Sequence, residues 1–133
     1  MKNIALFPGS FDPFTSGHLN ILTRALTIFD EVVVAVGVNQ AKRGFFTMEQ
    51  REDIIRQATK GMEGVRITHY EGLTVDICRE LGIKHVVRGV RNMTDFDNEQ
   101  AIADANRHLA PEIDTIIIPT ALQSYLSCGS RAG

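Results

Sequence analysis

The sequence predicts an α/β fold, a doubly wound parallel sheet of five strands with helices on both faces, and three features predict it. Apolar runs of strand length recur at residues 4–7, 31–38, 65–70, 85–87 with their flanks, and 115–118. Helical patterns separate these runs, and strands that alternate with helices are joined by right-handed parallel crossovers. The run Val32-Val33-Val34-Ala35-Val36 is apolar at every position, which suits a strand covered on both faces rather than one.

Taken in order, residues 4–7 form a short buried strand. It runs into the turn Pro8-Gly9-Ser10-Phe11-Asp12-Pro13-Phe14-Thr15-Ser16-Gly17-His18 and then straight into a helix. Leu19, Leu22, Leu26 and Phe29 mark that helix's apolar stripe. After the second strand, Thr47-Met48-Glu49-Gln50 has the spacing of a capping box ahead of Ile54, Ile55 and Ala58. The third strand leads to a helix over residues 74–81, where Cys78 falls among Leu73, Ile77 and Leu81 at helical spacing and reads as a small buried side chain. A further helix over residues 95–109 precedes the last strand. There is no internal repeat, low-complexity tract or long linker, and residues 1–133 read as a single Rossmann-like domain.

A chain of 133 residues can bury about two-thirds of the surface its unfolded form exposes, enough for one core. The net charge of −2, with both signs interspersed, argues against a sequence-independent nucleic-acid binder, which needs a clustered basic face. A cationic leader and a membrane-length apolar run are both missing, so a cytoplasmic protein with no membrane partner is expected. Cys78 and Cys128 match neither a metal-ligand spacing nor a disulfide framework.

In doubly wound sheets ligands bind beyond the carboxyl ends of the strands, where the strand order reverses. The unusual polar residues sit in the segments after the strands, at residues 9–18, 37–46, 71–74 and 88–92. A small-residue turn opening into a helix seats phosphate, because free amides and the helix dipole both favour negative charge. His18 stands at that positive helix end, which favours a neutral, hydrogen-bond-donating imidazole. Gly17, and Gly9 with Ser10, would let a bulky ligand approach the backbone. Arg88 and Arg91 flank Gly89 at a strand end and offer guanidinium groups suited to phosphate oxygens. Alone, Lys42 would be a solvated loop lysine, and Glu99, near Asp95, Asp97 and Asn98, has the pattern of a solvated helix face.

Thr15-Ser16-Gly17-His18 resembles the (H/T)-x-G-H signature of the nucleotidyltransferase superfamily. The resemblance narrows with Gly9-Ser10-Phe11-Asp12-Pro13, Lys42 ahead of Phe46-Thr47-Met48-Glu49-Gln50-Arg51, Glu71-Gly72-Leu73, Arg88-Gly89-Val90-Arg91, Asp95-Phe96 with Glu99, and Asn106-Arg107-His108-Leu109-Ala110-Pro111-Glu112. In that order and spacing, over residues 3 to about 120, the chain resembles the bacterial phosphopantetheine adenylyltransferases. The resemblance implies attack of the phosphate of 4'-phosphopantetheine on the α-phosphorus of ATP, giving dephospho-coenzyme A and pyrophosphate.

Carried over position by position, the resemblance makes His18 and Lys42 the catalytic residues, and Ser10, Lys42, Thr74 and Arg88 the contacts to phosphopantetheine. It gives Ser10, Phe11, His18, Gly89, Val90, Arg91, Glu99, Ser124, Tyr125 and Ser127 to ATP, with Mg²⁺ on the triphosphate and no protein metal ligand. It also implies a homohexamer. Similar enzymes usually carry a larger apolar residue at the position of Thr74. They also carry three serines and a further helix where this sequence has Ser127-Cys128-Gly129 and ends at Gly133, so that helix is expected to be missing or altered. A nucleotide- or coenzyme A-binding protein without turnover, and a related transferase with another acceptor, are the alternatives.

Overall fold

The computed structural model describes residues 2–38 and 45–119. The expectations for Lys42, for Ser124, Tyr125 and Ser127, and for the C-terminal helix lie outside the described residues. Within them, strands and helices alternate as β1 (Ile4–Gly9), α1 (Ser16–Ala25), β2 (Glu31–Gly37), α2 (Met48–Ala58), β3 (Val65–Tyr70), α3 (Thr74–Leu81), β4 (His85–Val90), α4 (Met93–Leu109) and β5 (Asp114–Pro119). The five strands form one parallel sheet in the order β3-β2-β1-β4-β5, the doubly wound arrangement expected from the sequence.

The strands bury alternate side chains into two separate cores. Ala5, Phe7, Val32, Val34 and Val87 meet Ile21, Leu22 and Ala25 of α1 and Ile55 of α2 on one face. Leu6, Val33, Ala35 and Val86 meet Val75, Ile77 and Cys78 of α3 on the other. This two-sided burial explains the uninterrupted apolar run of β2. Burial also pushes the Cys78 thiol up to about 11.

Local signals set most helix ends. Thr47 Oγ1 accepts from the Gln50 amide at 3.1 Å, and Gln50 Oε1 accepts from the Thr47 amide at 2.9 Å, so the capping box starts α2 as expected. α4 begins two residues earlier than the sequence suggested, because Asn92 caps it by accepting from the Asp95 amide at 2.9 Å. α1 ends before the apolar stripe does, and Phe29 is buried from the turn that follows.

β1 also runs further than expected, through Pro8 to Gly9, and the pairing explains how a central strand tolerates a proline. β1 pairs β2 along its whole length, from Ile4 with Glu31 to Gly9 with Val36. Against β4 it pairs at Ala5 and Leu6 alone, so Pro8, with no N–H to give, lies where those two strands have already parted. That opening between β1 and β4 is the point at which the strand order reverses.

Candidate active site

The turn after β1 is shaped around aromatic rings. Phe11 adopts a left-handed backbone conformation at φ +46°, a conformation few non-glycine residues take. Its ring folds back over Gly9, where a Cβ would sit 3.1 Å from the ring. The missing Cβ of Gly9 therefore admits the Phe11 ring, and Gly9 also lines the larger of the site's two cavities. At Gly17 the nearest atom a Cβ would meet is Thr15 Oγ1 at 3.6 Å, so the space there is open to the cavity that Gly17 lines.

His18 is the N3 residue of α1 and takes the part that Glu or Gln usually plays in a capping box. Thr15 Oγ1 accepts from the His18 amide at 3.4 Å, while the Thr15 amide donates to His18 Nδ1 at 2.9 Å. A nitrogen that accepts cannot carry the proton, so the neutral ring carries it on Nε2 and keeps that atom as a donor. Phe14 stacks on the imidazole at 5.5 Å between ring centres, Phe11 meets it edge-on at 5.0 Å, and Phe7 lies at 6.4 Å. Burial among these rings lowers the His18 pKa, with the charges of Arg88 and then Arg91 adding to the effect. The direction is the one expected at a helix start, but its leading cause is desolvation.

Arg88 crosses the opening between β1 and β4. Its Nε donates to Glu99 Oε2, its Nη2 donates to Glu99 Oε1 at 2.9 Å, and its Nη1 donates to the carbonyl of Pro8. That carbonyl is within reach because the two strands have separated. Burial works against the charge on Arg88, but the hydrogen bonds and charge of Glu99, with a contribution from Tyr70, outweigh it, so the guanidinium stays protonated. Arg91 is exposed and donates through Nε to Asp95 Oδ2 at 3.1 Å, one helical turn on. Tyr70, at the end of β3, places its hydroxyl 3.2 Å from Thr74 Oγ1 at the start of α3.

Two cavities open here. The larger, about 460 Å³, is lined by Ser10, Gly17, His18, Arg88, Gly89 and Arg91 among others. The smaller, about 180 Å³, is lined by Pro8, Thr74, Arg88, Ile102, Asn106 and Thr115 among others. Arg88 and Glu99 line both. Gly89 has a second task, since a Cβ there would stand 2.9 Å from Ile21 Cγ1, so its absence lets α1 pack against β4.

The structure thus brings Ser10, Phe11, His18, Arg88, Gly89, Arg91 and Glu99 to the larger cavity and Thr74 to the smaller. The Val90 side chain is buried and is not among the lining residues of either. Glu99, expected on a solvated face, is the buried residue of α4. Sequence reasoning placed Thr15 and Asp12 in motifs but gave neither a role, although the spacing of Thr15 to His18 is that of a capping box. Asp12 accepts from the amides of Phe45 and Phe46 at 2.7 and 2.9 Å and lies 3.7 Å from Arg51 Nε. Arg51 in turn donates to the carbonyls of Phe46 and Ser10, so this pair ties residues 45–46 to the phosphate turn. Among the described residues no three His, Cys, Asp or Glu side chains are grouped to hold a metal ion, and Asp12, Asp95 and Glu99 are each engaged by arginine.

The cytidylyltransferase-like family model matches residues 6–128. Among curated proteins, the phosphopantetheine adenylyltransferase of Leptospira biflexa is 47% identical over 118 residues, covering 89% of this chain and 74% of that one. That of Clostridium tetani is 46% identical over 129 residues, covering 96% of this chain and 81% of its own length. Among solved structures, a bifunctional NMN adenylyltransferase/ADP ribose pyrophosphatase from Francisella tularensis superposes with a TM-score of 0.67 at 22% identity, over 89% of this chain and 38% of that one. Pantothenate synthetase from Thermus thermophilus does so with a TM-score of 0.64 at 15% identity, over 90% and 56% of the two chains. These two likenesses are of fold. With its doubly wound sheet, its T-x-G-H helix start and sequence identity running almost the whole chain, the protein belongs to the phosphopantetheine adenylyltransferases, within the cytidylyltransferase-like family.

Proposed function

We propose that the chain transfers the adenylyl group of ATP to 4'-phosphopantetheine, releasing pyrophosphate and forming dephospho-coenzyme A. The observation that carries this reading beyond family membership is the join of two cavities at one arginine. Arg88 faces both, so a nucleotide in the larger cavity and an acceptor in the smaller would bring their phosphates to the same guanidinium.

The chemistry asks little covalent help from the protein. An oxygen of the acceptor phosphate attacks the α-phosphorus, the bond from that phosphorus to the bridging oxygen breaks, and pyrophosphate leaves with the electron pair. Positioning and charge stabilisation then supply most of the rate. His18 Nε2–H is a neutral donor suited to a non-bridging oxygen of the α-phosphate. Its place at the start of α1 adds the amides and dipole of a helix N-terminus. Arg91 suits the outer phosphates, and Ser10 and Phe11 would meet the nucleotide through their backbone. Thr74 lines the acceptor's cavity, where Ile102 offers an apolar wall and Asn106 an amide. Lys42 would add charge to the acceptor phosphate, and Gly89, Val90, Ser124, Tyr125 and Ser127 would serve the nucleotide; these roles rest on the resemblance.

Mg²⁺ belongs, in this reading, to the triphosphate, because the acidic groups at the cavity are already committed to arginines. It would neutralise charge on the leaving pyrophosphate, and the protein's residues hold the reactants. We also propose a homohexamer in the cytoplasm. α4 leaves Met93 and Leu109 exposed, which suits contact with further copies. Residues 1–133 are read as one domain. Among the described residues, no helix is long and apolar enough to cross a membrane.

The test is a panel of acceptors assayed for pyrophosphate release from ATP. Release with 4'-phosphopantetheine alone, and not with nicotinamide mononucleotide or a cytidylyl acceptor, is the expected result. Tight binding of ATP and 4'-phosphopantetheine with no product would replace the transferase by a binding protein.

A further inference from the structure

We infer that Glu99 is a positioning residue that acts through Arg88, holding one guanidinium between the nucleotide and acceptor cavities. This rests on the reading of the two cavities given above. α4 is 17 residues long, and Glu99 is its buried residue. A carboxylate is a costly group to bury unless it is paired and hydrogen-bonded. Here the pairing is complete on one edge: the Glu99 side chain is 12% exposed and takes Nε and Nη2 of Arg88 side by side. The Pro8 carbonyl takes Nη1 from the other direction. Three elements, β1, β4 and α4, therefore fix the plane of the guanidinium, and the N–H groups left over on Nη1 and Nη2 are those available to a phosphate.

The physical need for such a device is clear. Arg88 pairs with Ile117 of β5, but on its other side β1 and β4 have separated, and its long stem could swing into either cavity. Glu99 and Pro8 remove that freedom before substrate arrives, which is the preorganisation that phosphoryl transfer rewards.

The test uses the full chain with Glu99→Gln, Glu99→Asp, Arg88→Ala and the double variant Arg88→Ala/Glu99→Gln. Melting temperatures are measured alongside, so that loss of fold is seen directly. Glu99→Gln is expected to weaken 4'-phosphopantetheine binding by about 10–100-fold, the worth of one charged hydrogen bond, and to lower ATP affinity, measured by calorimetry, by no more than Arg88→Ala does. Glu99→Asp, which keeps the charge at a shorter reach, should recover part of the loss. In the Arg88→Ala background, Glu99→Gln should cost nothing more. Weakened ATP binding with unchanged acceptor binding would overturn the inference, as would additive losses in the double variant.

If wild-type protein fails to bind 4'-phosphopantetheine, the functional reading fails by itself. The inference is then judged by the Arg88 Nε–H resonance. Slow exchange of that proton in wild type and its loss in Glu99→Gln support Glu99 as the holder, and an unchanged signal overturns it.

Discussion

His18 serves two structures at once, and substitution separates them. Nδ1 completes the capping box of α1 and Nε2 faces the reaction, so His18→Ala removes both and His18→Gln removes chiefly the second. The capping contribution is one hydrogen bond from the Thr15 amide at 2.9 Å, and losing such a cap costs about 1 kcal/mol. For a domain of this size that lowers the melting temperature by about 3–6 °C. Gln restores it, because the same protein already uses Gln50 in that role at α2, accepting from Thr47 at 2.9 Å. The catalytic contribution is one preorganised donor, and removing such a donor typically costs about 10²–10³ in kcat, or about 3–4 kcal/mol of transition-state stabilisation. Pyrophosphate release gives kcat, calorimetry gives the affinity for ATP and for 4'-phosphopantetheine, and a thermal melt gives stability. Expected are a large loss of kcat in both variants, substrate affinities near wild type, and a melting temperature depressed in Ala alone. An Ala variant that keeps its turnover, or one whose ATP affinity falls as far as its kcat, would refute the assignment of Nε2 as a transition-state donor.

Three further outcomes follow from the same structure. Because burial holds the His18 pKa below its ordinary 6.5, the unfolded chain takes up a proton that the folded chain resists; stability from this group is complete above pH 6.5 and is lost as pH falls through the folded value. Denaturant melts across that range should show this loss in wild type and lack it in His18→Gln. Gly89→Ala places a methyl 2.9 Å from buried Ile21 and should cost about 1–3 kcal/mol in a denaturant titration, with Ile21→Ala as a second change returning part of it. Asp12→Ala strips the acceptor from the amides of Phe45 and Phe46, which should exchange faster with solvent, while amides within β2 keep their protection.

Most of the architecture was legible because its signals are local. Apolar runs of strand length, the spacing of Thr47 to Gln50 and the alternation of strands with helices each depend on neighbours in sequence, and all of them match the observed five-stranded parallel sheet. The miss at β1 was decided elsewhere, since Pro8 reads as a turn residue until the early end of the β1–β4 ladder makes room for it; the miss at α4 was local, since the Asn92 cap starts the helix at Met93, two residues before the predicted start.

At the candidate site the division is sharper. The sequence by itself determined the helix start at His18, the strand-end arginines and the family, because each is written in a short run of residues. Which nitrogen of His18 carries the proton, why its pKa is low, and what Glu99 does were decided by the tertiary structure. Burial and hydrogen-bond partners are properties of the surroundings. Three phenylalanines from β1 and the following turn desolvate the imidazole, and an arginine eleven residues away in sequence turns an apparent surface carboxylate into a buried partner.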